Sequence, residues 1–238
     1  MALPKLNDVP YYSIEVPSTG AKTRYRPYLV KEEKILLIAL ESGDLKQISD
    51  ATVDLIRNCL EDDIDISSLS VFDIEYLFVK IRTKSVGETV NLNFLCSECD
   101  SENEVTVNLE EVFVPTYTKD KRTITLTKDV SIEMKHLSYK ESNENEQISS
   151  PTSYAEYMFE SILRSMHTVN TEEESVLVKD ESDESKTEFL NSLTTDQFNK
   201  LRTFIETSPT VSCTVDFKCA ECEKENSYTL KGLNDFFG

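Results

Sequence analysis

The stretch FLCSECDSENEVTV (residues 94–107) sets two cysteines three apart at the head of a strand-like run, and about 120 residues later FKCAECEKENSYTL (217–230) repeats the arrangement. The two segments align without a gap over about twenty residues. Phe94 matches Phe217, Cys96 matches Cys219, Glu98 matches Glu221, Cys99 matches Cys222, Asn103 matches Asn226 and Phe113 matches Phe236. A tight Cys-x-x-Cys turn can aim both sulfurs at one ion, and a tetrahedral zinc site needs two such turns. Cys96, Cys99, Cys219 and Cys222 are therefore the candidate metal ligands, and Zn2+ is the expected cofactor. An ion shared by both pairs would close a long loop, and its binding energy would become folding energy. The spacing alone does not decide that sharing.

Two other readings compete with a structural zinc. The pairs can be inert, buried small hydrophobes, or one pair can act as a redox dithiol. Redox chemistry is disfavoured because the helix that lowers a cysteine pKa should follow the motif directly, and here a strand-like run follows. Four thiolates would also leave no open coordination position, so a zinc held this way is structural rather than catalytic.

Periodicity gives the frame around the motifs. A hairpin is expected where YYSIEV and KTRYRPYLV flank PSTGA, since Pro17 and Gly20 are turn-formers. KEEKILLIALESG reads as a helix with a buried aliphatic centre, stopped at Gly43. Ile48, Ala51, Leu55, Ile56, Cys59 and Leu60 share a face of a second helix. A third begins near Ser70, with Asp73 completing a capping box and Val71, Ile74, Phe78 and Ile81 forming its buried stripe. Strand alternation flanks the first cysteine pair, and TITL and VSIEMKHL suggest another hairpin. A helix over about 153–166 places Tyr154, Tyr157, Met158, Ile162 and Met166 on one face. NTEEESVLVKDESDESK reads as a mobile acidic loop with a short helix starting near Ser185. The last helix, about 195–206, is capped by Thr194 with Gln197 and buries Phe198, Leu201, Phe204 and Ile205.

The expected fold class is α+β: helices packed with short antiparallel hairpins, the two cysteine hairpins being zinc-knuckle-like copies of a helix–strand–knuckle–strand repeat. The expected organisation is an N-terminal part over 1–140, an acidic linker over 141–152, and a C-terminal helical part over 153–238 docked on the first as one unit.

Charge and motif searches narrow the function. A formal net charge of −19 argues against sequence-independent nucleic-acid binding and against an anionic membrane surface. The acidic knuckle tips SECDSENE and AECEKENS likewise disfavour a nucleic-acid-binding zinc ribbon. The longest aliphatic run, Ile35 to Leu40, is far too short for a membrane span, and MALPKLNDVPYY lacks the features of a signal peptide. A cytoplasmic setting with reduced cysteines is expected. With five glycines there is no phosphate-cradling loop, and no nucleophile elbow is present. No catalytic residue emerges.

The remaining candidates read as structural. Cys59 and Cys213 suit core positions, with Cys213 a lesser candidate as auxiliary ligand. His136 and His167 stand apart from any motif, and Glu61, Asp62, Asp63 and Asp65 lack the calcium-loop pattern and suit a solvated helix end. Tyr11, Tyr12, Tyr25 and Tyr28, and at the other end Phe236 and Phe237, are contact candidates that equally suit packing on the chain's own core.

Residues 2–44, ALPKLNDVPYYSIEVPSTGAKTRYRPYLVKEEKILLIALESGD, resemble the start of the T4-type contractile-tailed phage baseplate proteins of the central hub, the hub subunit or hub-assembly protein family. YRPYLVKEEKILLIA is the most specific part, and the resemblance extends to about residue 135. It implies a non-enzymatic role in building the hub in the host cytoplasm, as an assembly chaperone or as a virion subunit, with other hub proteins as partners. It supplies no catalytic residues. The competing readings are a permanent structural subunit with no chaperone role and, from another class, a thiol-disulfide oxidoreductase.

Overall fold

The computed structural model describes residues 9–114, 122–143 and 153–237. They fall into two compact units: the first runs to Thr116 and resumes at Thr210, and the second, Tyr117–Pro209, is inserted between. The units thus divide at 116/117 and 209/210 rather than at the expected 140 and 153. Of the expected acidic linker, residues 144–152 lie outside the described residues.

The first unit opens with the expected hairpin. Strands β1 (Tyr12–Glu15) and β2 (Lys22–Tyr25) pair antiparallel with Tyr12 opposite Tyr25. Gly20, at φ +70°, takes the left-handed position of the turn, which side chains with a Cβ resist. Tyr25 is buried in the unit's own core and Tyr11 is exposed. Helix α1 (Val30–Ser42) ends at Gly43, at φ +66°, as expected.

The expected burial of the aliphatic centre of α1 is corrected: Ile35, Leu37, Ile38 and Leu40 are exposed, and only Glu32 and Ala39 are buried. Consecutive apolar residues run round the whole helix, whereas contact with helix α2 (Leu45–Cys59) covers one stripe. Buried Glu32 is neutralised by Arg26 at 3.0 Å and accepts the Leu29 N–H at 2.8 Å. Helix α2 is capped by Asp44, which accepts from the Lys46 N–H at 2.9 Å, and it buries Ala51, Leu55, Ile56 and Cys59.

Helix α3 (Val71–Ser85) starts where Ser70 donates its N–H to Asp73 Oδ2 at 3.0 Å. Asp73 also accepts the Ser18 N–H (2.9 Å) and hydroxyl (2.6 Å), tying the hairpin turn to the start of the helix. Ile74, Phe78 and Ile81 are buried as expected, but Val71, in the open first turn, is exposed. Strands β3 (Thr89–Leu95) and β4 (Glu102–Asn108) follow as an antiparallel pair.

The inserted unit carries a four-stranded antiparallel sheet in the order β5 (Thr123–Thr125), β6 (Ser131–Met134), β7 (Met166–Asn170) and β8 (Ser175–Leu177). Its helices are α4 (Tyr139–Asn143), α5 (Tyr154–Ser165), α6 (Asp183–Asn191) and α7 (Thr195–Glu206). Ile132, Met134, Ile162 and Leu201 centre the core. The expected mobile acidic loop is instead built into this unit. Val176 pairs opposite Val169 and Val178 is buried, so a short apolar stretch anchors the acidic segment. On α5, Met158 and Ile162 are buried while Tyr154 and Tyr157 are exposed, a narrower face than expected. Helix α7 is capped as expected, the Thr194 N–H donating to Gln197 Oε1 at 2.8 Å. It buries Leu201, with Phe198, Phe204 and Ile205 partly buried. His136 is half-buried, stacked on Phe204 (centroids 4.8 Å apart) and 3.3 Å from the Ser208 hydroxyl.

The chain returns to the first unit as β9 (Ser212–Lys218), β10 (Glu225–Lys231) and α8 (Gly232–Phe237). Phe113 and Ser212 exchange backbone hydrogen bonds of 3.1 and 2.8 Å, and Glu75 accepts the Thr210 hydroxyl at 2.8 Å, fixing where the chain leaves and re-enters. Phe94, Val107, Val211, Val215, Leu230 and Phe236 pack into one core. Helix α7 precedes β9 in chain order, as the expected repeat has it, but it belongs to the inserted unit. No helix among the described residues is long and apolar enough to cross a membrane.

Candidate metal centre

Each cysteine pair sits on a six-residue turn at the tip of its hairpin. In β3–β4 the last pairings are Phe94 with Asn103 and Leu95 with Glu102; in β9–β10 they are Phe217 with Asn226 and Lys218 with Glu225. The Cys96 N–H donates to Ser101 O at 2.9 Å, and the Cys219 N–H to Lys224 O at 2.8 Å. Inside each turn a second bond returns to the first cysteine: Asp100 N–H to Cys96 O at 3.0 Å and Glu223 N–H to Cys219 O at 3.1 Å. Asp100 and Glu223 occupy the left-handed region at φ +56° and +59°. A residue with a Cβ pays about 1 kcal/mol or more for that conformation, and both turns place it one residue after the second cysteine.

All four sulfurs lie within 4.8 Å of one another. Two approaches cross between hairpins, Cys96 to Cys222 at 3.6 Å and Cys99 to Cys219 at 3.7 Å. Zinc–sulfur bonds of about 2.3 Å put the corners of a tetrahedron about 3.8 Å apart, so the spacing fits a four-thiolate site. It is far too long for disulfides, whose bond is about 2.05 Å. Cys96 and Cys219 are buried, whereas Cys99 and Cys222 are exposed. The four clustered cysteines could bind a metal ion, and the all-sulfur set suits a soft or borderline one.

A polar layer supports the sulfurs and crosses between the hairpins. Asn103 Oδ1 accepts the Ala220 N–H at 2.9 Å, and Asn226 Oδ1 accepts the Ser97 N–H at 3.0 Å. Each side-chain amide also donates within its own turn, to Ser101 O (2.9 Å) or Lys224 O (3.0 Å). The same nitrogens lie near the first cysteine of the opposite hairpin, Asn103 Nδ2 3.8 Å from Cys219 Sγ and Asn226 Nδ2 3.6 Å from Cys96 Sγ. Behind them Phe94, Phe217 and Tyr228 pack with centroid separations of 5.4 to 5.9 Å.

The local dipoles sort the thiols. The Glu98 N–H holds Cys96 below the ordinary thiol range. The Cys222 N–H and the Ser101 hydroxyl bring Cys219 down to about 5. Cys222 receives the Lys224 N–H, which favours its thiolate, yet the neighbouring Cys99 thiol and burial push it up to about 12. Protons and a metal ion would therefore compete for one tightly coupled group of sulfurs.

The other sequence candidates stay outside this cluster. Cys213 is buried along β9, its thiol pushed up by burial, and is not among the clustered ligands. Cys59 is fully buried, and burial pushes its thiol up to about 11. The acidic residues after α2 have local roles: Glu61 pairs with Arg24, Asp62 accepts the Thr23 hydroxyl at 2.8 Å, and Asp65 accepts the Ser67 N–H at 3.1 Å. The alignment of the two turns pairs Asn103 with Asn226 without showing their role in the cluster, and the signal for it is their recurrence four residues after the second cysteine.

No curated protein and no solved structure matches the chain significantly. The profile of one family, described as T4 bacteriophage base plate protein, matches residues 9–238, and the chain belongs to that family.

Proposed function

We propose that this baseplate protein serves the central hub, as a hub subunit or as the chaperone that assembles it, through protein contacts made by a fold stapled with one zinc ion. The observation that carries the zinc is the convergence of Cys96, Cys99, Cys219 and Cys222 from hairpins on either side of the inserted unit. Cys99 and Cys219 are 120 residues apart, so one ion would restrain a long stretch of chain in the unfolded state. In a reducing host cytoplasm, a metal supplies that restraint where a disulfide would not persist. The two turns share their hydrogen bonds and their positive-φ position, which supports reading them as copies of one zinc-knuckle-like hairpin.

The role is non-enzymatic in this reading. A thiol-disulfide oxidoreductase needs one accessible pair with a free leaving thiol, and a strand rather than a helix follows each Cys-x-x-Cys turn. Partners are other hub proteins, met during assembly. Quantifying the chain in purified mature particles separates the two forms of the proposal. A stoichiometric amount supports a permanent subunit, and presence in assembly intermediates alone supports a chaperone. Absence from both, with no association with hub proteins, rejects the hub role.

A further inference from the structure

Helix α1 presents an apolar face to solvent. A helix advances about 100° per residue, so Val30, Lys34, Leu37, Ile38 and Glu41 share one side. That side lies opposite the one formed by buried Glu32 and Ala39 and half-buried Leu36. Val30 is 77% exposed, Leu37 52% and Ile38 56%, with Ile35 and Leu40 exposed at the flanks. A helix apolar on this many sides belongs in a buried setting, and contiguous exposed patches of this kind mark interaction sites.

We propose that this face binds a second copy of the same chain, the two α1 helices running antiparallel about a two-fold axis between Leu37 and Ile38. The charge pattern selects that occupant. In this register Leu37 meets the partner's Ile38, and Lys34 meets the partner's Glu41. Because the contact is isologous, each pair occurs twice. Lys34 and Glu41 are both exposed, and neither has an ion-pair partner within the chain among the described residues. The face thus carries its own complement at the spacing an antiparallel copy requires. It is also locally neutral, which lets like chains meet there despite the net charge of −19. One 13-residue helix is a small contact area, so the dimer is reversible and concentration-dependent.

Sedimentation equilibrium of the full chain over a concentration series tests this. The wild type is expected to show a monomer–dimer equilibrium. Lys34→Glu alone, or Glu41→Lys alone, should weaken it about tenfold or more by replacing two attractive pairs with two repulsive ones. Two restorations are expected: the Lys34→Glu/Glu41→Lys double variant, and an equimolar mixture of the two single variants. Leu37→Asp should abolish the dimer, with an unchanged circular dichroism spectrum showing that the fold survives. A wild type that stays monomeric throughout would overturn the proposal and leave the face to a different protein or to another segment of this chain. So would a dimer as strong in Lys34→Glu as in the wild type.

Discussion

Asn103 and Asn226 hold each other's hairpins by the same bond: each accepts the N–H of the residue that follows the first cysteine of the opposite turn, at 2.9 and 3.0 Å. Both side chains are buried, and both also bridge their own turn. The cysteine cluster is thus an approximately two-fold arrangement in which neither hairpin positions its sulfurs alone.

Truncating either asparagine should therefore have similar consequences. Asn103→Ala leaves the Ala220 N–H without its acceptor, and Asn226→Ala does the same to Ser97. Each should cost about 1–3 kcal/mol in urea denaturation and weaken metal binding, because the opposite hairpin loses its register. A large effect of one and none of the other would contradict the reciprocal arrangement.

Chelation should expose the sulfurs in a defined order. In metal-loaded protein a thiol reagent should find few reactive groups. After a strong chelator, exposed Cys99 should react first, with Cys222 slowed because its thiol is held protonated and Cys96 and Cys219 slowed by burial. Cys59 and Cys213, buried in the core, should stay protected until the chain unfolds. The thermal midpoint should fall on chelation, since metal-binding energy is folding energy. A chelator that changes neither reactivity nor midpoint would argue against a bound metal.

Stability should fall on mild acidification through His136. Burial, reinforced by the nearby Arg122 charge, lowers its pKa from 6.5 to about 4. Between those values the unfolded chain binds a proton that the folded chain does not. This contribution is therefore complete above pH 6.5 and is lost as pH falls towards about 4. His136→Gln, which cannot titrate, should make that part of the stability profile shallower than in the wild type, both measured metal-free so that the slope from the low-lying Cys219 thiol is common to the two. An unchanged slope would assign the acid sensitivity elsewhere.

Features set by neighbours in sequence were legible. The Ser70–Asp73 and Thr194–Gln197 caps and the Gly43 stop are decided within three or four residues. The clustering of Cys96, Cys99, Cys219 and Cys222 was legible because the motif occurs twice in frame. The exposure of α1 was not, because a run of aliphatic residues specifies an apolar helix but not how many neighbours will cover it. Strand β8 was hidden by composition: charge dominates its segment, while Val176 and Val178 determine its placement. The Asn103–Ala220 bond spans 117 positions, and no local pattern announces it.

Elemental analysis of protein purified without added metal decides whether the four cysteines hold the proposed zinc ion. About one zinc per chain is expected, and none in a Cys96→Ser/Cys219→Ser double variant. Metal-free wild-type protein with freely titratable Cys96, Cys99, Cys219 and Cys222 would contradict it and return the dithiol reading to first place.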